Sequence, residues 1–206
     1  TKLLIDFTLD KTDDDKSWDI SRELNEFSKI LLSEEDTIHF RGLADKTIAD
    51  FTALKTKLNK EQQELKVQFS ETGEHLLSVL SKANLEAKDF TRGTVPKFFT
   101  DVAQKEFNFD FIKRSETIEK AIENHQYYTK TSTQEKIALI EGVVPQIVIC
   151  FQKTKEIFQQ FLLNKLALKS LTPLAVLNHI NLELTNIKEE NNIRLNAEFN
   201  QLISDH

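Results

Sequence analysis

The sequence predicts an all-α fold built from a few long helices. Only 4 glycines and 3 prolines occur among 206 residues, so there are few places for the tight turns that a many-stranded sheet requires. Apolar residues recur instead at spacings of three, four or seven along most of the chain, which is the pattern of an apolar stripe on a helix. With 39% hydrophobic residues, the chain has enough apolar material to form a core.

Residues 1–33 are predicted to form an N-terminal arm and one short amphipathic helix. The segment TKLLIDFTLDKTDDDK begins with alternating apolar residues and ends in acids, which indicates an extended arm and a solvated turn. In SWDISRELNEFSKILL, apolar residues from Trp18 to Leu31 are spaced by about three or four, as on one face of a helix.

A first long helix is predicted over residues 34–84, at the start of a helical domain that spans 34–206. Ser33 in the segment SEED supplies a side-chain acceptor for an N-cap, and the acids that follow suit the positive end of the helix dipole. The core stripe of this helix comprises Phe51, Leu58, Leu65, Phe69 and Leu76. The stripe would be exposed on an isolated helix, so helices of similar length are expected beside it.

Two further long helices are predicted over 111–169 and 174–206. The second carries Ile147, Phe151 and Phe158 on its stripe, with a polar weak point at TKTSTQ, residues 129–134. SLTP at 170–173 is expected to end it, because proline disfavours helix at the preceding residue and suits the first turn of a new one. The stripe of the third includes Ile187 and Phe199.

The apolar run IALIEGVVPQIVICF, residues 137–151, is interpreted as a bend within the second helix. It is shorter than the roughly 20 residues that span a membrane, and it contains Glu141. Pro145 removes one helical hydrogen bond and clashes one turn back, which predicts a kink that Gly142 eases.

The sequence contains none of the common catalytic patterns. There is no HExxH, glycine-rich phosphate loop or nucleophile elbow, and the five histidines form no metal-ligand pattern. Cys150 lies in an apolar stripe, where a thiol is usually a small core residue, and a single cysteine favours a reducing compartment. We therefore expect a non-enzyme without cofactor, metal or small-molecule substrate. The net charge of −6 also argues against nucleic-acid binding.

One charge asymmetry is a candidate binding feature. The segment CFQKTKEIFQQFLLNKLALKS contains four lysines, and Glu156 is its only acid. The lysines are Lys153, Lys155, Lys165 and Lys169. Such a cluster is either a solvated helix face or a patch that attracts anionic lipid, to which each lysine would contribute on the order of 1 kcal/mol.

Three stretches resemble the BAR domain of the sorting nexins. LADKTIADFTALKTKLNKEQQELKVQFSETGEHLLSVLS (43–81) is similar to the first helix of that family. IEKAIENHQ (118–126), followed by EKIALIEGVVPQIVICFQKTKEIFQQF, resembles the second, and ELTNIKEENNIRLNAEFNQLI (183–203) resembles the third. Together they cover most of residues 34–206.

The resemblance implies an elongated antiparallel coiled coil of three long helices with a kinked middle helix. Two chains, as a homodimer or a heterodimer with a related nexin, would pack into a six-helix bundle through the stripe residues named above. The implied function is non-catalytic sensing or shaping of curved endosomal membranes from the cytoplasm, with the four lysines on anionic or phosphoinositide lipids.

Two other functions are compatible with the same pattern. The first is a helical interaction scaffold or tether whose acidic surface binds proteins and never touches lipid. The second is a helical surface antigen or pore-forming toxin, although the glycine-rich apolar hairpin expected of a toxin is not seen.

Overall fold

The computed structural model describes residues 2–13, 20–33, 42–43, 45–104 and 110–194. Every regular element in these ranges is helical, which confirms the all-α prediction. The α-helices are α1 (Lys2–Asp13), α2 (Ser21–Leu32), α3 (Ile48–Lys82), α4 (Thr94–Ala103), α5 (Phe111–Glu123) and α6 (Gln134–Glu190). Two 3-10 turns, Ala87–Asp89 and Thr91–Gly93, lie between α3 and α4.

The chain divides into two compact units. Unit 1 contains residues 1–59 and 166–206, and unit 2 contains residues 60–165. The helices α3 and α6 each contribute to both units.

Unit 1 is built around a small apolar cluster. Its buried members come from α1, α3 and α6, and they are Leu3, Phe7, Phe51, Leu171, Ala175 and Val176. The ring of Phe7 lies 5.8 Å from that of Phe27 in α2, and Lys55 Nζ donates to Thr172 Oγ1 at 3.1 Å. Burial of these side chains holds the short helices against the long ones.

Unit 2 has a larger core that is rich in phenylalanine. The rings of Phe111 and Phe158 stack with centroids 4.0 Å apart, and the Phe98 ring lies 5.1 Å from Phe99 and 5.7 Å from Phe151. Aromatic pairs at these separations add to the free energy gained from area burial alone. The core therefore joins α4, α5 and α6 through direct ring contacts.

Three helices end in the same way, with a residue other than glycine in the left-handed region. Asn84, His125 and Asn192 have φ values of 53°, 52° and 52°. In each case the next N–H donates to the carbonyl five residues back, as from Leu85 to Leu80 at 3.0 Å. This is the hydrogen bond of the Schellman motif, which satisfies a carbonyl at the helix terminus.

The N-terminal arm is not extended, contrary to the prediction. Residues Lys2–Asp13 form α1 because Leu3 and Phe7, four positions apart, both point into the unit 1 cluster. The short amphipathic helix is confirmed at Ser21–Leu32, while Trp18 lies outside the described residues.

The first long helix begins later than predicted. Thr47 caps α3: its N–H and Oγ1 donate to Asp50 Oδ2 at 2.7 and 2.8 Å, and the Asp50 N–H donates back to Thr47 Oγ1 at 3.3 Å. One continuous helix over 34–84 is therefore wrong, and the predicted start at residue 34 lies outside the described residues. The predicted end at 84 is close to the observed end at Lys82.

The bounds of the second and third helices are also wrong. The predicted helix 111–169 is interrupted at 124–133, where His125 closes α5 and Thr133 Oγ1 accepts from the Lys136 N–H at the start of α6. Pro173 does not end α6, which continues to Glu190, because the buried Leu171 and Ala175 on either side hold the helix in the unit 1 core. The run 137–151 is helical as predicted, and the kink at Pro145 stays a prediction.

Candidate interaction face

The four predicted lipid-binding lysines do not share one environment. Lys153 and Lys155 are two residues apart on α6, so their side chains leave the helix about 200° apart. Lys155 is half-buried: its Nζ pairs with the Glu119 carboxylate of α5 and lies 5.8 Å from the ring centroid of Phe151. Lys153 and Lys165 are exposed within unit 2, and Lys169 is exposed within unit 1.

The residues predicted for the dimer interface or core fall into five groups. Five belong to the unit 2 core, namely Phe69, Leu76, Ile147, Phe151 and Phe158, and Phe51 belongs to unit 1. Leu65 packs partly buried against the unit 2 core, and Leu58 is half-buried. Ile187 is 50% exposed, and Phe199 lies outside the described residues. Six of the ten are therefore buried by their own chain, while the dimer interface stays a prediction.

A continuous exposed strip runs along α6 on the side opposite the unit 2 core. Its positions are separated alternately by four and three residues, and all are exposed: Ala138, Gly142, Pro145, Ile149, Gln152, Glu156, Gln159 and Leu163. We call this set the outer strip. Ile149 and Leu163 are 58% and 61% exposed. Alternation of three and four is the spacing of a coiled-coil seam, so these side chains lie along one line.

The chemistry of the outer strip is nearly free of charge. Glu156 is its only ionisable side chain, and Ala138, Gly142 and Pro145 make one end small and apolar. A Cβ atom added to Gly142 would meet no atom within 4 Å, so packing inside the chain does not require a glycine there. Because glycine inside a helix costs about 1 kcal/mol relative to alanine, this position is less stable than it need be.

A polar cluster lies next to the small end of the outer strip. His125 Nε2 lies 2.8 and 3.0 Å from the two carboxylate oxygens of Glu141, and the Tyr128 hydroxyl also hydrogen-bonds to Glu141. This hydrogen bond is the main cause that raises the pKa of Tyr128, whereas burial raises the pKa of Tyr127. The Tyr127 carbonyl accepts from the Thr91 N–H at 2.9 Å. The cluster fastens the 124–133 turn to α6.

Two features of the described residues bear on metal binding and on thiol chemistry, neither of which the sequence predicts. No group of three or more histidine, cysteine, aspartate or glutamate side chains is placed there to hold a metal ion. Burial raises the pKa of the Cys150 thiol, with Lys153 opposing weakly, so the thiol is held in its unreactive protonated form.

Comparison with protein-family models, curated proteins and solved structures finds no significant match. Membership of the sorting nexin family therefore stays a proposal. By length and hydropathy alone, α6 contains an 18-residue window that would qualify as a membrane span, with a mean hydropathy of 1.4 and 33% of the window buried. The core helix of a soluble protein passes the same test.

The outer strip was not predicted from the sequence. The interpretation of the run 137–151 as a bend concerned only its buried stripe, which includes Ile147 and Phe151. A second stripe could have been found by testing both sides of the helix, because the four-three spacing from Ala138 to Leu163 is visible in the sequence.

Proposed function

We propose that this chain is a non-catalytic helical module that binds a helix of another protein along the outer strip. The proposal rests chiefly on one observation: eight positions with coiled-coil spacing are all exposed while the opposite side of the same helix is filled by the core. Monomers usually leave apolar residues scattered at the surface, whereas five of the eight strip positions are small or apolar and share one line, which indicates an interaction surface.

The composition of the strip indicates the kind of partner. Ile149 and Leu163 would insert between the side chains of a facing helix, and Gly142 with Ala138 would allow the two backbones to approach closely. Glu156 would pair with a lysine or arginine on the partner. The expected partner is an amphipathic helix with apolar residues at heptad spacing and basic residues beside them.

The test uses a synthetic helical peptide with leucine at the seam positions and lysine beside them. The full chain should bind it saturably in a fluorescence-anisotropy titration. Ile149→Glu should weaken binding about tenfold or more, because a carboxylate would be buried against apolar side chains. Gly142→Leu should also weaken it by filling the space that the partner helix needs.

The matched control is Ile112→Glu. Ile112 is 63% exposed, belongs to α5 in the same unit, and lies off the outer strip. This variant should bind the peptide like the parent chain, with circular dichroism confirming that both variants stay folded. The proposal would be abandoned if the parent chain did not bind, or if Ile112→Glu and Ile149→Glu weakened binding equally.

A second proposal is the dimeric membrane-curvature module implied by the resemblance. It is favoured by the exposed positions of Lys153, Lys165 and Lys169. Under it, the chain should sediment with phosphatidylserine-containing vesicles, and charge reversal of these three lysines should abolish sedimentation. Lys130→Glu, in the exposed 124–133 turn, is the control. Vesicle binding without peptide binding would replace the first proposal with the second.

A further inference from the structure

His125 differs in residue type from the other two left-handed helix ends. The residues that close α3 and α6 are both asparagine, Asn84 and Asn192, whereas α5 is closed by His125. Asparagine and histidine both tolerate a positive φ, so the helix end by itself does not require an imidazole. The imidazole adds a group that changes charge between about pH 5 and 8. Its contacts therefore indicate what this change of charge affects.

The His125 ring contacts a carboxylate of α6. Its Nε2 lies 2.8 and 3.0 Å from the two oxygens of Glu141, and the ring meets that of Tyr127 edge-on with centroids 5.3 Å apart. The Tyr128 hydroxyl hydrogen-bonds to the same carboxylate. Among the described residues, Glu141, Tyr127 and Tyr128 are the titratable groups in contact with His125 or with its partner. A charge on the imidazole therefore acts first on Glu141.

Glu141 lies at the rim of the outer strip. It directly precedes Gly142, and its side chain is 36% exposed, whereas the preceding Ile140 is completely buried. Gly142 occupies a seam position of the strip, and Glu141 occupies the position that flanks it. In coiled coils, charged residues at such flanking positions pair with charged residues of the facing helix. The Glu141 carboxylate is therefore placed to accept from a basic side chain of a bound helix as well as from His125.

We propose that His125 makes helix binding by the outer strip sensitive to pH, with Glu141 as the acceptor for a lysine or arginine of the partner. This regulation rests on the proposed function and adds an acid at the rim of the strip to it. A neutral imidazole leaves the negative charge of Glu141 to the partner. A protonated imidazole forms a charge-assisted hydrogen bond to the same carboxylate and repels the incoming cation. A basic partner should therefore bind more weakly as the pH falls from 7.5 to 5.5.

The test uses two helical peptides with leucine at the seam positions. One has lysine beside the seam, and the other has glutamine at the same positions. Each is titrated with the full chain by fluorescence anisotropy at pH 7.5 and at pH 5.5, at constant ionic strength because salt screens exposed charges. The lysine peptide should bind about threefold more weakly at pH 5.5, which is the size of effect expected of an exposed ion pair. The glutamine peptide should bind equally at both pH values.

Two histidine variants form a matched pair. His125→Asn keeps a residue type that suits the left-handed helix end, as Asn84 does in α3, and should remove the pH dependence. His75→Asn, at an exposed position of α3 in the same unit, should retain it. Glu141→Gln should bind the lysine peptide about threefold more weakly than the parent chain at pH 7.5, and its affinity should not change with pH.

The outcomes separate this regulation from the proposed function. If the parent chain bound the lysine peptide equally at both pH values, or if His125→Asn kept the pH dependence, the regulation would be overturned and the proposed function would stand. If neither peptide bound at either pH, both would be overturned. Circular dichroism at both pH values reports whether each variant is folded. Should His125→Asn not fold, a pH dependence that persisted in Glu141→Gln would equally overturn the regulation.

Discussion

Gly73 in α3 lies so close to the end of α4 that a Cβ atom on it would be 2.5 Å from the backbone nitrogen of Ala103. The same junction is closed by Ser70, whose Oγ donates to the Ala103 carbonyl at 2.6 Å. Backbone atoms cannot move aside as a flexible side chain can, so the contact depends on the absence of a side chain at residue 73.

We predict that Gly73→Ala destabilises the chain despite the higher helix propensity of alanine. The methyl group would push α4 away from α3, which should lower the free energy of unfolding by about 1–3 kcal/mol. Urea denaturation followed by circular dichroism measures the change. An unchanged or raised midpoint would contradict the close packing described here.

Gly142→Ala should have the opposite effect. Nothing lies within 4 Å of the added Cβ, so only the gain in helix propensity remains, about 1 kcal/mol of stabilisation. The same urea titration provides the measurement, and the pair tests whether the surroundings of each glycine decide the sign. A destabilised Gly142→Ala would mean that residue 142 is not open.

Phe151→Ala should be strongly destabilising in the monomer. Phe151 is completely buried and contacts Phe98, so its truncation should cost about 3–5 kcal/mol. Ile149→Ala, two residues away on the outer strip, should change stability by no more than about 0.5 kcal/mol. If stability depended on dimerisation, the effect of Phe151→Ala would instead vary with protein concentration in the same experiment.

Acid should weaken unit 2 through Asp89. Its Oδ2 accepts from the Glu86 N–H at 2.8 Å, which is the main cause that lowers the Asp89 pKa, and the Lys136 ammonium at 3.1 Å lowers it further. The pKa of this carboxyl group is lower in the folded chain than in the unfolded chain, where it is about 3.9. Such a group stabilises the fold at pH values above about 3.9. This contribution is lost as the pH falls through the folded pKa.

The matching variant is Asp89→Asn. It should cost about 1 kcal/mol near neutral pH through the weakened cap and should flatten the loss of stability below about pH 4. Thermal unfolding measured across the acid range reports both effects. Glu116→Gln, at an exposed position of α5, serves as the comparison. This variant should lose stability in acid to about the same extent as the parent chain. If the parent and Asp89→Asn chains lost stability equally as the pH fell, the role given to Asp89 would be refuted.

Cys150 should react slowly with disulfide reagents in the folded chain. It is 4% exposed, and burial raises its thiol pKa, so both access and the thiolate fraction are low. We expect labelling by dithionitrobenzoate to be at least about 100-fold slower than in urea, because it requires local opening. Rapid labelling without denaturant would place the thiol at the surface.

Local patterns predicted the long helices and α2, but they missed α1 and did not locate the helix ends. The stripe from Phe51 to Leu76 correctly indicated one long helix, since periodicity reports which side is buried. Ser33 and Thr47 both suit an N-cap, and only the pairing of Thr47 with Asp50 decides between them. Pro173 illustrates the same limit, because tertiary packing around it outweighs its local preference.

The candidate sites were harder to predict because they depend on pairs of distant residues. The sequence alone does not show that Lys155 pairs with Glu119, which lies on α5, 36 residues earlier in the chain. Asn178 is an ordinary polar residue in the sequence. Its Nδ2 donates to the carbonyl of Lys46, 132 residues away, and only this contact identifies the buried Oδ1 as the unsatisfied atom. Neither relationship leaves a periodic signal that one sequence can reveal.

The buried Cys150 has a practical consequence for measurement. The sequence contains no methionine and no other cysteine, so its only sulfur atom is enclosed in the unit 2 core. A cysteine placed at an exposed position would then be the preferred target of maleimide dyes in the native chain. Single-dye or spin-label variants can therefore be prepared without first removing Cys150, which leaves the core packing undisturbed.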